Sequence, residues 1–159
     1  YATSSGQHYA YQTPADNSYS KSPLDVPSAT FPEKASEFEA QTAIGGGPVL
    51  INKGKIVDTW KEELFEVGGV EPASSQPRTA VGVTSDKKMI MFVCEGRNMT
   101  EGVKGMTTAE VAEILKDLGC VEAINLDGGG SSCMLVNGKE TIKVSDGAQR
   151  AVASAVYFK

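Results

Sequence analysis

The sequence predicts an α+β fold, a mainly antiparallel (mixed) sheet packed by one main helix. Three observations carry this. Short apolar runs alternate with turn residues over most of the chain, which is the period-2 pattern of strands. One stretch alone shows a capped, amphipathic helical pattern. Glycine is abundant, at 17 of 159 residues, as a turn-rich sheet protein requires.

The elements follow in order. Residues 1–40 are rich in Ser, Tyr, Pro and Ala and show no sustained apolar periodicity, so they read as an irregular arm and loop, the first part as strand or irregular chain and residues 14–36 as one long loop. The folded body is residues 41–159. "PVLINKGKIV" is two apolar runs around Asn52 to Gly54, a hairpin. "TWKEELFEVG" is a weaker helical pattern. "TAVGVTSDKKMIMFVCEG" places Val81 and Val83 before a Ser-Asp-Lys turn and alternates again from Met89 to Cys94, a second hairpin. Thr107 and Glu110 form a capping box before Val111, Ile114, Leu115 and Leu118 at helical spacing, and Gly119 supplies the left-handed stop. The strand "VEAINLD" follows at once. "CMLVNGKETIKV" carries Asn137-Gly138, a strong hairpin signal, and "RAVASAVYF" reads as a closing strand.

Composition limits the function. The length suits one domain with a real core, and 40% hydrophobic with 22% charged residues is ordinary for a globular chain. A net charge of −5 without a Lys/Arg cluster argues against a nucleic-acid or anionic-membrane partner. No apolar run reaches membrane-spanning length. The chain begins at Tyr1 rather than Met, as expected of a processed or excised piece of something longer, from which any signal peptide would already be gone. Cys94, Cys120 and Cys133 are too few and scattered for a disulfide framework, and Cys94 and Cys133 read as small buried hydrophobes.

Several chemistries fail on residue type. The Gly45 to Lys55 stretch has Val49 where a phosphate loop needs glycine and Ile56 where it needs Ser or Thr. Ser131 lacks the glycine of a nucleophile elbow, since Cys133 stands there. His8, the single histidine, lies in the irregular arm, so a Ser-His-Asp relay has no base. One His and three dispersed Cys make no standard zinc site, and Asp127 lacks the spaced oxygens of an EF-hand. No metal or cofactor is therefore expected. Asn98-Met99-Thr100 matches a glycosylation sequon by accident.

Carboxylates, arginines, glycine loops and amides remain, a set suited to cleaving a bond between a sugar and a phosphate. Four segments could share one rim: "AIGGGPVL", "QPRTAVGV", "FVCEGR" and "INLDGGGSS". In this order they resemble the phosphodiester glycosidase family, over roughly residues 41–158. The resemblance implies hydrolysis of a sugar-1-phosphodiester to a sugar and a phosphomonoester, with no cofactor and a carbohydrate phosphodiester as partner. Arg78 and Arg97 would take the phosphate, and Asp127 and Glu95 would be the catalytic carboxylates, Asp127 foremost. Asn125 would bond sugar hydroxyls or orient Asp127. Gly45, Gly46, Gly47, Gly128, Gly129, Gly130 and Ser131 would line the ligand, the Gly128–Ser131 turn bringing its amides beside the acid.

Two departures stand out. Glu95 replaces the usual Asp of the family's triplet, and the family's earlier Asn-Gly-aromatic segment has no match. The body is thus expected to be the C-terminal portion of a larger domain, completed by an N-terminal segment or a second copy, unless the arm from Tyr1 has replaced that portion. The alternatives are a non-catalytic glycan- or phosphate-binding module, or a half-domain completed by another segment. The resemblance also implies an exported bacterial protein, periplasmic, cell-surface or extracellular.

Overall fold

The computed structural model describes residues 9–10, 36–40, 42–63, 65 and 69–158. His8 and nearly all of the long N-terminal loop lie outside these. Within the arm, β1 (Tyr9–Ala10) pairs antiparallel with β2 (Ser36–Glu37).

The body is built on β3 (Val49–Asn52), β4 (Lys55–Ile56), β5 (Arg78–Thr84), β6 (Met89–Cys94), α1 (Thr108–Asp117) and β7 (Cys120–Asn125). These strands form one sheet in the order β4-β3-β7-β5-β6, and every pairing in it is antiparallel. The expected mixed character is therefore absent from the hydrogen-bonded ladders. It survives only across a gap: β6 and β7 both run against β5, so α1 is a crossover between two parallel strands separated by a third.

Both predicted hairpins of the sheet form. In β5–β6 the register runs from Arg78↔Cys94 to Val83↔Met89. In β3–β4 the turn is Lys53-Gly54, both at positive φ. The capping box holds the start of α1, where Thr107 Oγ1 accepts from the Glu110 amide at 3.2 Å and the Glu110 carboxylate accepts from the Thr107 amide at 2.7 Å. Gly119 at φ +86° ends it.

One sheet face carries the core. Val111, Ala112 and Leu115 of α1 are fully buried against Leu50, Ile51, Ala80, Cys120 and Ala123, with Ile90, Phe92 and Met106 flanking. Each fully buried Leu, Ile or Val contributes about 1.5–3 kcal/mol. Gly82 admits Cys120 to this layer, since a Cβ there would lie 2.5 Å from its sulfur. Alternation sends Val83, Met89 and Met91 to the other face, where they are 36%, 52% and 38% exposed.

Two expected elements differ. Residues 59–63 and 65 form turns rather than a regular helix, because the Glu63 side chain is drawn back to the Val49 amide at 2.9 Å and to the Thr59 hydroxyl. The C-terminal stretch 150–158 forms no strand; Val152, Val156, Tyr157 and Phe158 are exposed. A strand needs a ladder partner, and among the described residues none is offered. The Asn137-Gly138 hairpin does form, with φ of 53° and 74° at the turn, as β8 (Leu135–Val136) and β9 (Lys139–Glu140) outside the main sheet.

Candidate active site

The site lies where β7 leaves the sheet. The strand end is clamped on both sides: the Asn125 amide donates to Pro48 O at 3.0 Å, the Gly47 amide to Asn125 O at 2.7 Å, and the Leu126 amide to Thr79 O at 2.8 Å. This brings the Gly45–Gly47 approach to β3, the segment leading into β5, and the Asp127–Gly130 turn around one cavity of about 550 Å³.

Of the residues picked out from sequence, Gly45, Gly46, Gly47, Arg78, Arg97, Asn125, Asp127, Gly128, Gly129 and Gly130 line it. Gly47 takes the aromatic wall, since a Cβ on it would lie 2.3 Å from the Phe65 ring. Ser131 stands behind the turn and accepts from Arg150 Nη1 at 3.3 Å.

Arg78 is 2% exposed, and its donors are committed to carbonyls: Nε to Met106 O, Nη1 to Val70 O, and Nη2 to Glu71 O and Ser74 O, all at 2.7–2.9 Å. It knits the loop before β5 to the approach to α1. Burial pulls its pKa down, but a guanidinium stays protonated at any working pH. Among the described residues no carboxylate lies within ion-pair distance of it. The Glu71 and Asp58 carboxylates nevertheless lie close enough to offset part of its charge, and what remains acts on the cavity only as a field, since these donors are turned away from a ligand.

Asn125 is also buried. Its Nδ2 donates to Gly47 O at 3.0 Å and Leu126 O at 2.8 Å, so it fixes the glycine loop, while Oδ1 has no partner. Asp127 is exposed at the cavity edge, and its Oδ1 accepts from the Gly128 amide at 2.9 Å. The Gly129 amide donates to Pro77 O at 2.9 Å. The Gly128 amide thus serves the turn itself and the Gly129 amide ties it to the segment before β5, so neither is left for an open anion nest.

Glu95 is placed elsewhere. It is absent from the cavity wall and accepts from the Lys143 amide at 3.0 Å, with the Thr100 hydroxyl and this amide holding its carboxyl below the ordinary range. It ties the end of β6 to the chain after β9. Among the described residues, the carboxylates lining the cavity are Asp127 and Glu71.

Glu71, Gln76 and Arg150 were not singled out from sequence, yet all three line the cavity. Gln76 joins two of its walls: Nε2 donates to Glu71 Oε2 at 2.7 Å, and Oε1 accepts from Arg97 Nε at 3.0 Å. Glu71 lies at φ +48°, which aims it from a loop no periodicity marks. Among the described residues no group of three or more His, Cys, Asp or Glu side chains gathers as a metal site would require.

Residues 7–159 match the model of a family described as Phosphodiester glycosidase. The chain is 34% identical over 108 residues to N-acetylglucosamine-1-phosphodiester alpha-N-acetylglucosaminidase of Mus musculus, covering 67% of this chain and 20% of that one. It is 36% identical over 80 residues to the SPbeta prophage-derived protein YomE of Bacillus subtilis, covering 50% and 12%. Among solved structures, the zebrafish N-acetylglucosamine-1-phosphodiester alpha-N-acetylglucosaminidase catalytic domain, auto-inhibited by its pro-peptide, superposes with a TM-score of 0.53 at 34% identity, over 64% of this chain and 34% of that one. The chain thus spans a fifth or less of the length of these curated relatives.

Proposed function

The chain belongs to the phosphodiester glycosidase family, and from that premise we propose that it hydrolyses the glycosidic bond of a sugar-1-phosphodiester, releasing the sugar and leaving a phosphomonoester. The observation that carries this reading is the meeting of Arg78, Arg97 and Arg150 with Glu71 and Asp127 around one cavity.

The chemistry needs little more than charge in the right places. As the bond from the anomeric carbon to the phosphate oxygen breaks, its electron pair stays on phosphate and positive charge develops on the sugar. Water then adds its oxygen to the anomeric carbon and gives up a proton to one of the two cavity carboxylates, which passes it to solvent. Positive charge at the cavity wall stabilises the phosphate and its growing charge, with Arg78 contributing only a field because its donors are bonded to carbonyls. Asp127, with Oδ1 fixed by the Gly128 amide, presents its carboxylate to the anomeric centre. Glu71, held by Gln76, is the second carboxylate in this scheme, in the role Glu95 was expected to fill. Phe65 supplies the apolar surface on which a sugar ring packs.

The test is sugar release from a UDP-sugar and from sugar-1-phosphodiesters, comparing the chain with its Asp127→Asn, Glu71→Gln and Glu95→Gln variants. Asp127→Asn should lower turnover about 100-fold or more with ligand affinity kept. Glu71→Gln should also be impaired, and Glu95→Gln should retain turnover. Binding without turnover in the unaltered chain would instead mark a glycan- or phosphate-binding module.

A further inference from the structure

Two guanidinium groups reach the Gly129–Gly130 turn from segments far apart in sequence. Arg97 follows the end of β6, and Arg150 follows the β8–β9 hairpin. Each rests on one glycine: a Cβ on Gly129 would lie 2.9 Å from Arg97 Nη2, and one on Gly130 would lie 2.2 Å from Arg150 Nη2. Asp146 stands between them. Its Oδ2 accepts from Arg150 Nε at 3.0 Å and Nη2 at 2.6 Å, and its Oδ1 lies 3.7 Å from Arg97 Nη1. Gln76 Oε1 and Ser145 Oγ accept from Arg97, and Ser131 Oγ accepts from Arg150.

Folding gives little reason for this arrangement. The three side chains are 36–47% exposed, and ion pairs at such exposure contribute about 0–1 kcal/mol. Two arginines brought together at a cavity wall also repel each other. One carboxylate between them offsets part of that repulsion, fixes the plane of Arg150 by two hydrogen bonds, draws Arg97 by charge alone, and leaves the group with a net positive charge. Planar forks held in this way suit an oxyanion with several oxygens.

We propose that Arg97 and Arg150 form a two-armed clamp for the phosphate group of the substrate, and that Asp146 is the positioning residue that sets the clamp. This deepens the phosphodiester reading and rests on it. Arg97 and Arg150 take the phosphate oxygens, while Arg78, its bonded donors turned to carbonyls, adds only field from behind.

The test is calorimetric titration of the unaltered chain and its variants with inorganic phosphate at fixed ionic strength, with a melting curve for each to confirm folding. Arg150→Ala should weaken phosphate binding about tenfold or more, and Arg150→Lys should restore only part, because an ammonium lacks the fork. Asp146→Asn should weaken phosphate binding while leaving affinity for the free neutral sugar unchanged, a split that a merely structural role would not produce. Tighter phosphate binding by Asp146→Asn would overturn the proposal, since the carboxylate would then be competing with the anion. So would indifference to Arg150→Ala, or no phosphate binding by the unaltered chain. Phosphate binding is read without turnover, so a chain that binds phosphate through the clamp but cleaves nothing would sink the hydrolase reading alone.

Discussion

The three glycines after Asp127 each face a different neighbour, and substitutions along them should therefore have different effects. A Cβ on Gly128 would meet the Pro77 carbonyl at 2.9 Å, which is backbone. On Gly130 the nearest atoms would be the ends of Arg150 and Asp146, which can move. Gly130→Ala should thus leave the melting temperature near that of the parent while weakening phosphate binding about tenfold, by unseating the ion pair. Gly105 is the contrasting case: at φ +103°, a Cβ would lie 2.5 Å from the backbone of Gln76. Gly105→Ala should cost about 2 kcal/mol or more in urea unfolding, because both the strain and the clash fall on backbone. Asp58 gives a residue-scale test of pH. Burial raises its pKa, Oδ2 accepts from the Thr108 hydroxyl at 2.9 Å, and Oδ1 is buried without a partner. With the folded-state pKa above the unfolded one, its stabilising contribution is complete below the unfolded pKa and is lost as pH rises through the folded pKa. Asp58→Asn keeps the acceptor and suits the φ of +40°. It should melt at or above the parent at pH 7, and that advantage should vanish below about pH 4.

At the scale of elements, the start of α1 depends on Thr107 and Glu110. Thr107→Ala should cost about 1 kcal/mol, seen as a drop of about 2–4 °C in melting temperature. Glu95 anchors a different junction, from β6 to the chain after β9. Its pKa is lowered, so its contribution is present above the unfolded carboxylate pKa and lost as pH falls through the folded value. Glu95→Gln should lower the melting temperature at pH 7, and the difference should close as the medium is acidified below about pH 4. The same elements show what was legible in the chain. The helix and three hairpins could be read because their signals are local: a capping box, period-2 alternation, an Asn-Gly turn. The Asp127 corner and Arg97 could be found because glycines and charges cluster around them. Glu71, Gln76 and Arg150 could not, because loops bonded across the chain bring them to the cavity, through contacts such as Gln76 to Arg97. Arg78 was legible as a site residue, but the use of its fork on four carbonyls depends on a loop path that no local pattern encodes. The closing strand failed for a related reason: alternation in residues 150–158 records a preference, and pairing requires a neighbour.

For the whole molecule, the sheet has one face under α1 and a second where Val83, Met89 and Met91 stand exposed. β6 is one of its edges, six residues long and largely apolar, of the kind proteins usually cover or charge. The stretch after Arg150 is equally apolar and outside any strand. Stability should therefore be concentrated in β5, β7 and α1, which share the buried cluster and the longest ladders. Hydrogen exchange should find their amides slowest, with residues 151–158 exchanging near the rate of unstructured chain. Removing residues 151–159 should shift the melting temperature by less than about 2 °C, since this stretch contributes nothing to the cluster. Strong protection there, or a large loss on truncation, would mean that the stretch pairs in solution. Sedimentation of the intact and truncated chains would then identify the source of the ladder: a dimer that disappears on truncation points to a second copy, and an unchanged monomer points to a strand within the chain itself.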